Sequence, residues 1–101
     1  MFNVVAKYGV KQGMTEDVLG LLAQMAAATR REPGNLSYDF YRGGEDPEQI
    51  VILESYHEAE DFDRHRESPH FLDVGVRQII PRLVYRHVST YTSEDVPHEV
   101  P

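Results

Sequence analysis

The spacing of apolar residues changes character several times along the chain. Over FNVVAKYGV, residues 2 to 10, it alternates: Phe2, Val4, Ala6, Tyr8 and Val10 share one face and Val5 takes the other, the pattern of a strand. From residue 16 to about 31 the period becomes helical, with Val18, Leu22, Met25 and Thr29 in one stripe that Leu21 and Ala26 widen. Thr15 stands where an N-cap belongs, ahead of Glu16 and Asp17. Pro33 and Gly34 end this helix, because the residue before a proline is pushed out of the α region and glycine accepts the positive φ of a turn. NLSYDFYR then alternates Leu36, Tyr38 and Phe40 against Ser37, Asp39 and Tyr41, and the turn residues GGEDPEQ separate it from the apolar run IVILESYH, which predicts a hairpin. Residues 58 to 67 are charged and helical, with Ala59, Phe62 and His65 near one face. A further helix follows Ser68-Pro69 and runs to about residue 80, where Pro81 ends it, and RLVYRHVSTYT supplies a fourth strand.

The order β-α-β-β-α-β predicts an α+β fold of the ferredoxin-like split βαβ type, a four-stranded antiparallel sheet with its helices on one face. Strand three nevertheless carries Ile50, Val51, Ile52 and Leu53 in succession, and strand four sets Val84 and Val88 opposite Leu83 and Tyr85. Strands apolar on both faces are normally covered on both. Helices cover one, so the expectation is a homodimer, two sheets packed face to face about a two-fold axis. Residues 1–92 make the domain, and 93–101, acidic and holding two prolines, reads as a tail.

Composition narrows the partners. A net charge of -7 is the wrong sign for a protein that holds phosphate backbones, so nucleic acid is not expected as a partner. The chain has no cysteine, which removes disulfides, thiolate nucleophiles and thiolate metal sites and fits a cytoplasmic protein. No apolar run approaches the roughly 20 residues that cross a bilayer, and the first residues are too polar for a signal peptide, so no membrane association is expected.

The stretch HRESPHF, residues 65 to 71, concentrates the candidate chemistry. Ser68 suits an N-cap and Pro69 the first helical position, so the Ser-Pro pair needs no further role. His65 lies three residues after Phe62 and therefore on the inward face of its helix, where a histidine must find a partner or line a cavity. His70, in the first turn of the next helix, has its cationic form disfavoured by the helix dipole, and a neutral imidazole is what a general base requires. His57, His87 and His98 are weaker candidates. Glu54 and His57 point to opposite faces of a strand and cannot share a metal, and the acidic run EAEDFDRH reads as a solvated helix face. With no HExxH, phosphate-loop, GxSxG or EF-hand pattern, neither a metal nor a cofactor is expected. Tyr8, Tyr38, Phe40, Tyr56, Phe62 and Phe71 all take inward-capable positions, which outlines a pocket for a flat aromatic ligand.

Residues 32 to 71 resemble the antibiotic biosynthesis monooxygenase superfamily. The shared pattern is a Pro-Gly-x-Leu turn entering strand two (Pro33, Gly34, Leu36), Glu-x-aromatic at the end of strand three (Glu54, Tyr56) and His-x-x-Ser-Pro-His-aromatic opening the last helix (His65, Ser68, Pro69, His70, Phe71). With the order of elements, the resemblance spans about residues 2 to 91. It implies a dimeric α+β barrel. Members include cofactor-independent oxygenases of quinols and polyketide anthrones, haem-degrading enzymes and an isomerase of phosphorylated signal breakdown products. The Asn, Trp and His of the haem-degrading branch fall on Ala6, His65 and Gly75 here, and the usual Trp after the strand-three Glu is Tyr56. The expected activity is a cofactor-independent monooxygenase acting on a small quinol, anthrone or polyketide-like substrate with O2. The expected site has His65 or His70 as base, Asn35 and Tyr38 as hydrogen bonders and Tyr56, Phe62 and Phe71 as walls. The alternatives are an isomerase of a small phosphorylated or keto compound, which Asn35 and the paired histidines also resemble, and a dimeric ligand-binding protein without turnover.

Overall fold

A computed structural model describes residues 1–94 and 100–101. Most of the expected tail, His98 included, lies outside the described residues. The elements follow as β1 (Phe2–Val10), α1 (Thr15–Thr29), β2 (Asn35–Arg42), β3 (Gln49–Tyr56), α2 (Ala59–Glu67), a π-helical segment α3 (Phe71–Ile79), a 3-10 turn (Ile80–Arg82) and β4 (Leu83–Thr92). The sheet is antiparallel with strand order β2-β3-β1-β4, the ferredoxin-like α+β arrangement. Among the described residues no helix is long and apolar enough to cross a membrane.

The inward row of the sheet is the one the alternation marks. Ala6 and Tyr8 of β1 and Ile50 and Ile52 of β3 are buried against Val18, Leu22 and Met25 of α1, while Val4 is buried in a second cluster with Tyr56 and Phe62. Each buried Val, Ile, Leu or Met side chain contributes about 1.5–3 kcal/mol on leaving water. The outward row carries Val5, Val51 and Leu53, flanked by Tyr41 on β2 and Tyr85 and Tyr91 on β4. Gly9 serves that row: a Cβ there would stand 2.0 Å from the Tyr85 ring, which lies across β1 and accepts a hydrogen bond from Gln49 Nε2 at 3.0 Å.

Several local readings are corrected. α1 begins at Thr15 with Met14 as its cap residue, so Thr15 is inside the helix and buried rather than capping it. It ends at Thr29, before Arg30, because Glu32 N–H closes a turn on Thr29 at 2.9 Å. Leu36 is 45% exposed: two residues of β2, Leu36 and its neighbour, oppose one of β3 between the pairs Asn35–Tyr56 and Ser37–Ser55, and the bulge turns Leu36 out. A second bulge, between Gly9 and Val10, pairs Val10 with Leu83, turns Leu83 to the core and leaves Val84 67% exposed. Ala59 is exposed, being in the first turn of α2 ahead of the buried Phe62 and His65. The helix after Ser68-Pro69 is π-helical over 71–79, and Pro81 sits inside the following 3-10 turn instead of ending an α-helix. Phe71, Gly75 and Ile79, four apart along this helix, line the space between it and the sheet.

Candidate active site

Between the inward face of the sheet and the helices α2 and α3 lies a cavity walled by Tyr38, Phe62, Phe71 and His65, floored by Glu54, and opening toward Arg86 and Val88 of β4. About 420 Å³ of empty space, part of it open to solvent, lies within this lining, and the residues toward its mouth, Ile80, Arg86 and Val88, are exposed. Glycine at 75 keeps the π-helical wall close: a Cβ would come within 3.1 Å of Met25 Cε.

A chain of polar groups crosses the wall. Tyr56 Oη donates to Glu54 Oε1 at 2.6 Å, and Glu54 Oε1 lies 3.7 Å from His65 Nε2, beyond hydrogen-bond range. On the other side of its ring, His65 Nδ1 meets Glu32 Oε2 at 2.8 Å, and the same oxygen takes His70 Nε2 at 2.5 Å. With the Glu32 carboxylate as acceptor, Nδ1 carries the hydrogen and Nε2 keeps its lone pair. Nε2 has no hydrogen-bond partner among the described residues. Local capping sets up this geometry. Asp61 accepts from Glu58 N–H at 3.0 Å to open α2, and Ser68 Oγ bonds His65 O at 2.6 Å while accepting Phe71 N–H at 3.2 Å. The two helices thus meet at a corner with His65 and His70 on either side of Glu32. Glu32 itself is placed by the turn after α1, where Asn35 N–H donates to its carbonyl at 3.1 Å.

Burial drives the two cavity groups in opposite directions. Glu54, 8% exposed, is pushed up to about 7, chiefly by desolvation, against a lowering hydrogen bond from Tyr56. His65, 2% exposed, is pushed below its ordinary value, again chiefly by desolvation, which outweighs the hydrogen bond to Glu32. Burial also raises the Tyr38 phenol well above its usual range, and that of Tyr56 with it, the nearby Glu54 adding to both. Near pH 7 the site thus offers a neutral imidazole and a carboxyl close to half-protonated, the states that general acid–base chemistry uses.

Of the residues singled out from sequence, His65, Tyr38, Phe62 and Phe71 line the cavity. Three do not. Asn35 donates to the Ser37 carbonyl at 3.0 Å and the Ser55 carbonyl at 3.3 Å, so it holds the β2 bulge and does not reach a ligand. Tyr56 is fully buried behind the wall, its ring against Phe62 and His65, and acts on the cavity through Glu54. His70 is not among the cavity-lining residues, and its Nε2 is held by Glu32 Oε2. The residues missed are Glu54, Glu32 and Arg86. Glu54 had a signal, since it continues the inward row Ile50, Ile52 of β3, where a carboxylate has no reason to be unless used. Ligand atoms of Glu32, His65 and His70 lie within 4.8 Å of one another, drawn from three separate segments that no short spacing could reveal.

Comparison with known proteins agrees with this architecture. A family model for antibiotic biosynthesis monooxygenase matches residues 1–75. The chain is 34% identical over 70 residues to "Putative monooxygenase Rv0793" of Mycobacterium tuberculosis, covering 69% of this chain and 68% of that one. The solved structure of Rv0793 superposes with a TM-score of 0.87 at 28% identity over 96% of this chain and 98% of that one. An antibiotic biosynthesis monooxygenase structure from Nitrosomonas europaea, 24% identical, shares the fold with a TM-score of 0.86 over 92% of this chain and 98% of that one. The chain belongs to the antibiotic biosynthesis monooxygenase family.

Proposed function

We propose that this protein is a cofactor-independent monooxygenase that oxidises a small aromatic phenol or enol with O2. The observation that carries the reading is the juxtaposition of a neutral His65 and a near-neutral Glu54 in a cavity walled by Tyr38, Phe62 and Phe71. His65 Nε2 takes the substrate's hydroxyl proton, and Glu32 on Nδ1 stabilises the imidazolium that forms. Arg86, at the mouth and 5.9 Å from the centre of the Tyr8 ring, supplies positive charge toward the resulting anion. The electron-rich anion transfers an electron to O2, and the radical pair combines at the activated carbon as a hydroperoxide. Loss of water from that hydroperoxide leaves a carbonyl. For a methylene such as that of an anthrone, one oxygen atom enters the carbon, the other departs as water, and the substrate supplies all four electrons.

The unit proposed for this activity is a homodimer joined through the outward sheet faces. Leu53, Tyr41 and Tyr91 are 42%, 54% and 57% exposed there, an apolar and aromatic surface that a second copy would cover. The test is to incubate metal-free protein with anthrones and hydroquinones while following O2 uptake and product absorbance. Uptake of O2 in step with carbonyl formation supports the reading. Conversion without O2 uptake would instead mark an isomerase, and saturable tyrosine-fluorescence quenching with unchanged substrate would mark a binding protein.

A further inference from the structure

We propose that Glu32, His65 and His70 form a binding site for a divalent transition-metal ion of the zinc class, on the side of His65 that faces away from the cavity. Three donors converge there: Nδ1 of His65, Nε2 of His70 and Oε2 of Glu32, all within 4.8 Å of one another. Two imidazoles with one carboxylate is a donor set that zinc takes with three protein ligands, a water filling the fourth position. The donors come from the turn after α1, from α2 and from the first turn of the next helix, so a bound ion would tie three segments together.

Two observations go beyond proximity. His65 offers Nδ1 to the site and turns Nε2 toward the Glu54 carboxylate 3.7 Å away, so an ion on Nδ1 would move the ring hydrogen to Nε2, where a small approach would give it an outer carboxylate acceptor. Glu54 is in turn held by Tyr56 at 2.6 Å. The site is reachable as well: Glu32 lines a surface cleft with Pro33, Gly34, Asp61, Arg64 and Ser68. The fit requires a modest shift. Zinc at about 2.0–2.1 Å from each ligand sets tetrahedral ligand atoms about 3.3 Å apart. The contacts to Glu32 Oε2 are 2.8 and 2.5 Å, so the carboxylate must withdraw by about 0.5–0.8 Å toward that distance. The Glu32 and His70 side chains are 16% and 22% exposed and have room to move, while His65, at 2%, is the fixed member. Hydrogen bonds alone account for the contacts as they stand; the donor set, the outer carboxylate and the open cleft are what point to a cation.

The site does not depend on the proposed oxygenase activity, and its test needs no substrate. Untagged, chelator-treated protein is titrated with Co2+ as a spectroscopic probe and with Zn2+ by calorimetry. One Co2+ per chain with visible tetrahedral bands, and a melting temperature that rises with Zn2+, is the expected result, because the ion binds the folded chain only. Glu32→Gln and His70→Ala should each weaken binding about 100-fold or more. A His57→Ala/His87→Ala variant, which removes two exposed histidines, should bind as the parent does. Should a ligand variant fail to fold, the ring nitrogens of the unaltered protein decide: with Zn2+, the 15N resonances of His65 Nδ1 and His70 Nε2 must shift. Absent tetrahedral bands, binding that survives His70→Ala, binding lost in the His57/His87 variant, or unshifted ring nitrogens would overturn the site. One consequence does rest on the oxygenase reading. A cation on Nδ1 withdraws electrons from the ring and weakens Nε2 as a base, so Zn2+ should inhibit turnover and chelator should restore it.

Discussion

Replacing Glu54 by glutamine should make the protein more stable at pH 8 relative to pH 5, by an amount the site itself sets. The carboxyl is raised from 4.5 to about 7, with desolvation as the leading cause. A folded state that holds its proton more tightly than the unfolded chain gains from low pH. The gain is whole below about 4.5 and is lost as pH climbs through about 7. Each pH unit in that window is worth about 1.36 kcal/mol, so between pH 5 and 8 the wild type should lose about 2.5 kcal/mol that the glutamine variant keeps. Glutamine retains an oxygen for the Tyr56 hydroxyl, so the 2.6 Å hydrogen bond is not the thing being removed. At about 4–8 °C per kcal/mol for a chain of this size, the difference between the two melting temperatures should change by about 10 °C or more across the range. Melts are run from pH 5 to 8 at one protein concentration, because association makes melting concentration-dependent. His65 titrates in the same window with the opposite sign, its lowered value removing stability as pH falls, but it is present in both proteins and largely cancels. A melting-temperature difference that stays constant from pH 5 to 8 would refute the claim that a desolvated carboxyl sits at this position.

Three further outcomes follow from the same geometry. His65→Gln keeps a polar side chain and removes the base, so turnover should fall about 100-fold or more while the folded fraction, read by thermal melting, stays high; a variant that melts lower and keeps its catalytic constant would make His65 structural. Tyr56→Phe leaves Glu54 without its hydrogen-bond donor, which should push the carboxyl above about 7 and destabilise the fold at pH 8 by about 1–3 kcal/mol, with a smaller loss at pH 5, as measured by urea unfolding at both values. Leu53→Glu sets a charge in the middle of the outward sheet face, so light scattering should read twice the chain mass for the parent and a single chain for the variant; an unchanged mass would place any interface elsewhere.

Much of this fold is legible in the sequence because the inward row of β1, Phe2 through Val10, alternates; Ile50 and Ile52 lie in an unbroken apolar run, which marks β3 as a strand but leaves its facing to the structure. The errors cluster where one residue is added to a strand. A bulge interrupts the alternation at one place, so Leu36 comes out exposed while Leu83 packs on the core, and no propensity marks the place. The π-helical turn over 71–79 was equally unreadable, since Phe71, Gly75 and Ile79 at every fourth position also suit an α-helix. In the site, His65 was legible from its spacing to Phe62, and Phe71 from the cap at Ser68. Glu32 was not, being 33 residues from His65 and 38 from His70 in a turn with no pattern of its own.

That distance explains why the polar chain needs this fold. Tyr56, Glu54, His65, Glu32 and His70 come from β3, from α2 and from the turns that follow α1 and α2, and they form one line from the core to the surface. Desolvation acts on both cavity members of that line and favours the neutral form of each, raising the carboxyl and lowering the imidazole. A buried site holding an ionised pair would be anchored by its own attraction and would resist giving up a proton. A neutral imidazole beside a carboxyl near half-protonation can accept or release one at little cost, provided that the charge created on His65 has somewhere to be balanced. Glu32 provides that balance at 2.8 Å, on the side away from the substrate, and its contact with the partly exposed His70 continues the line toward solvent. On the proposed oxygenase reading, one carboxylate in front of His65 and another behind it are what would let an aromatic, buried cavity transfer a proton at neutral pH.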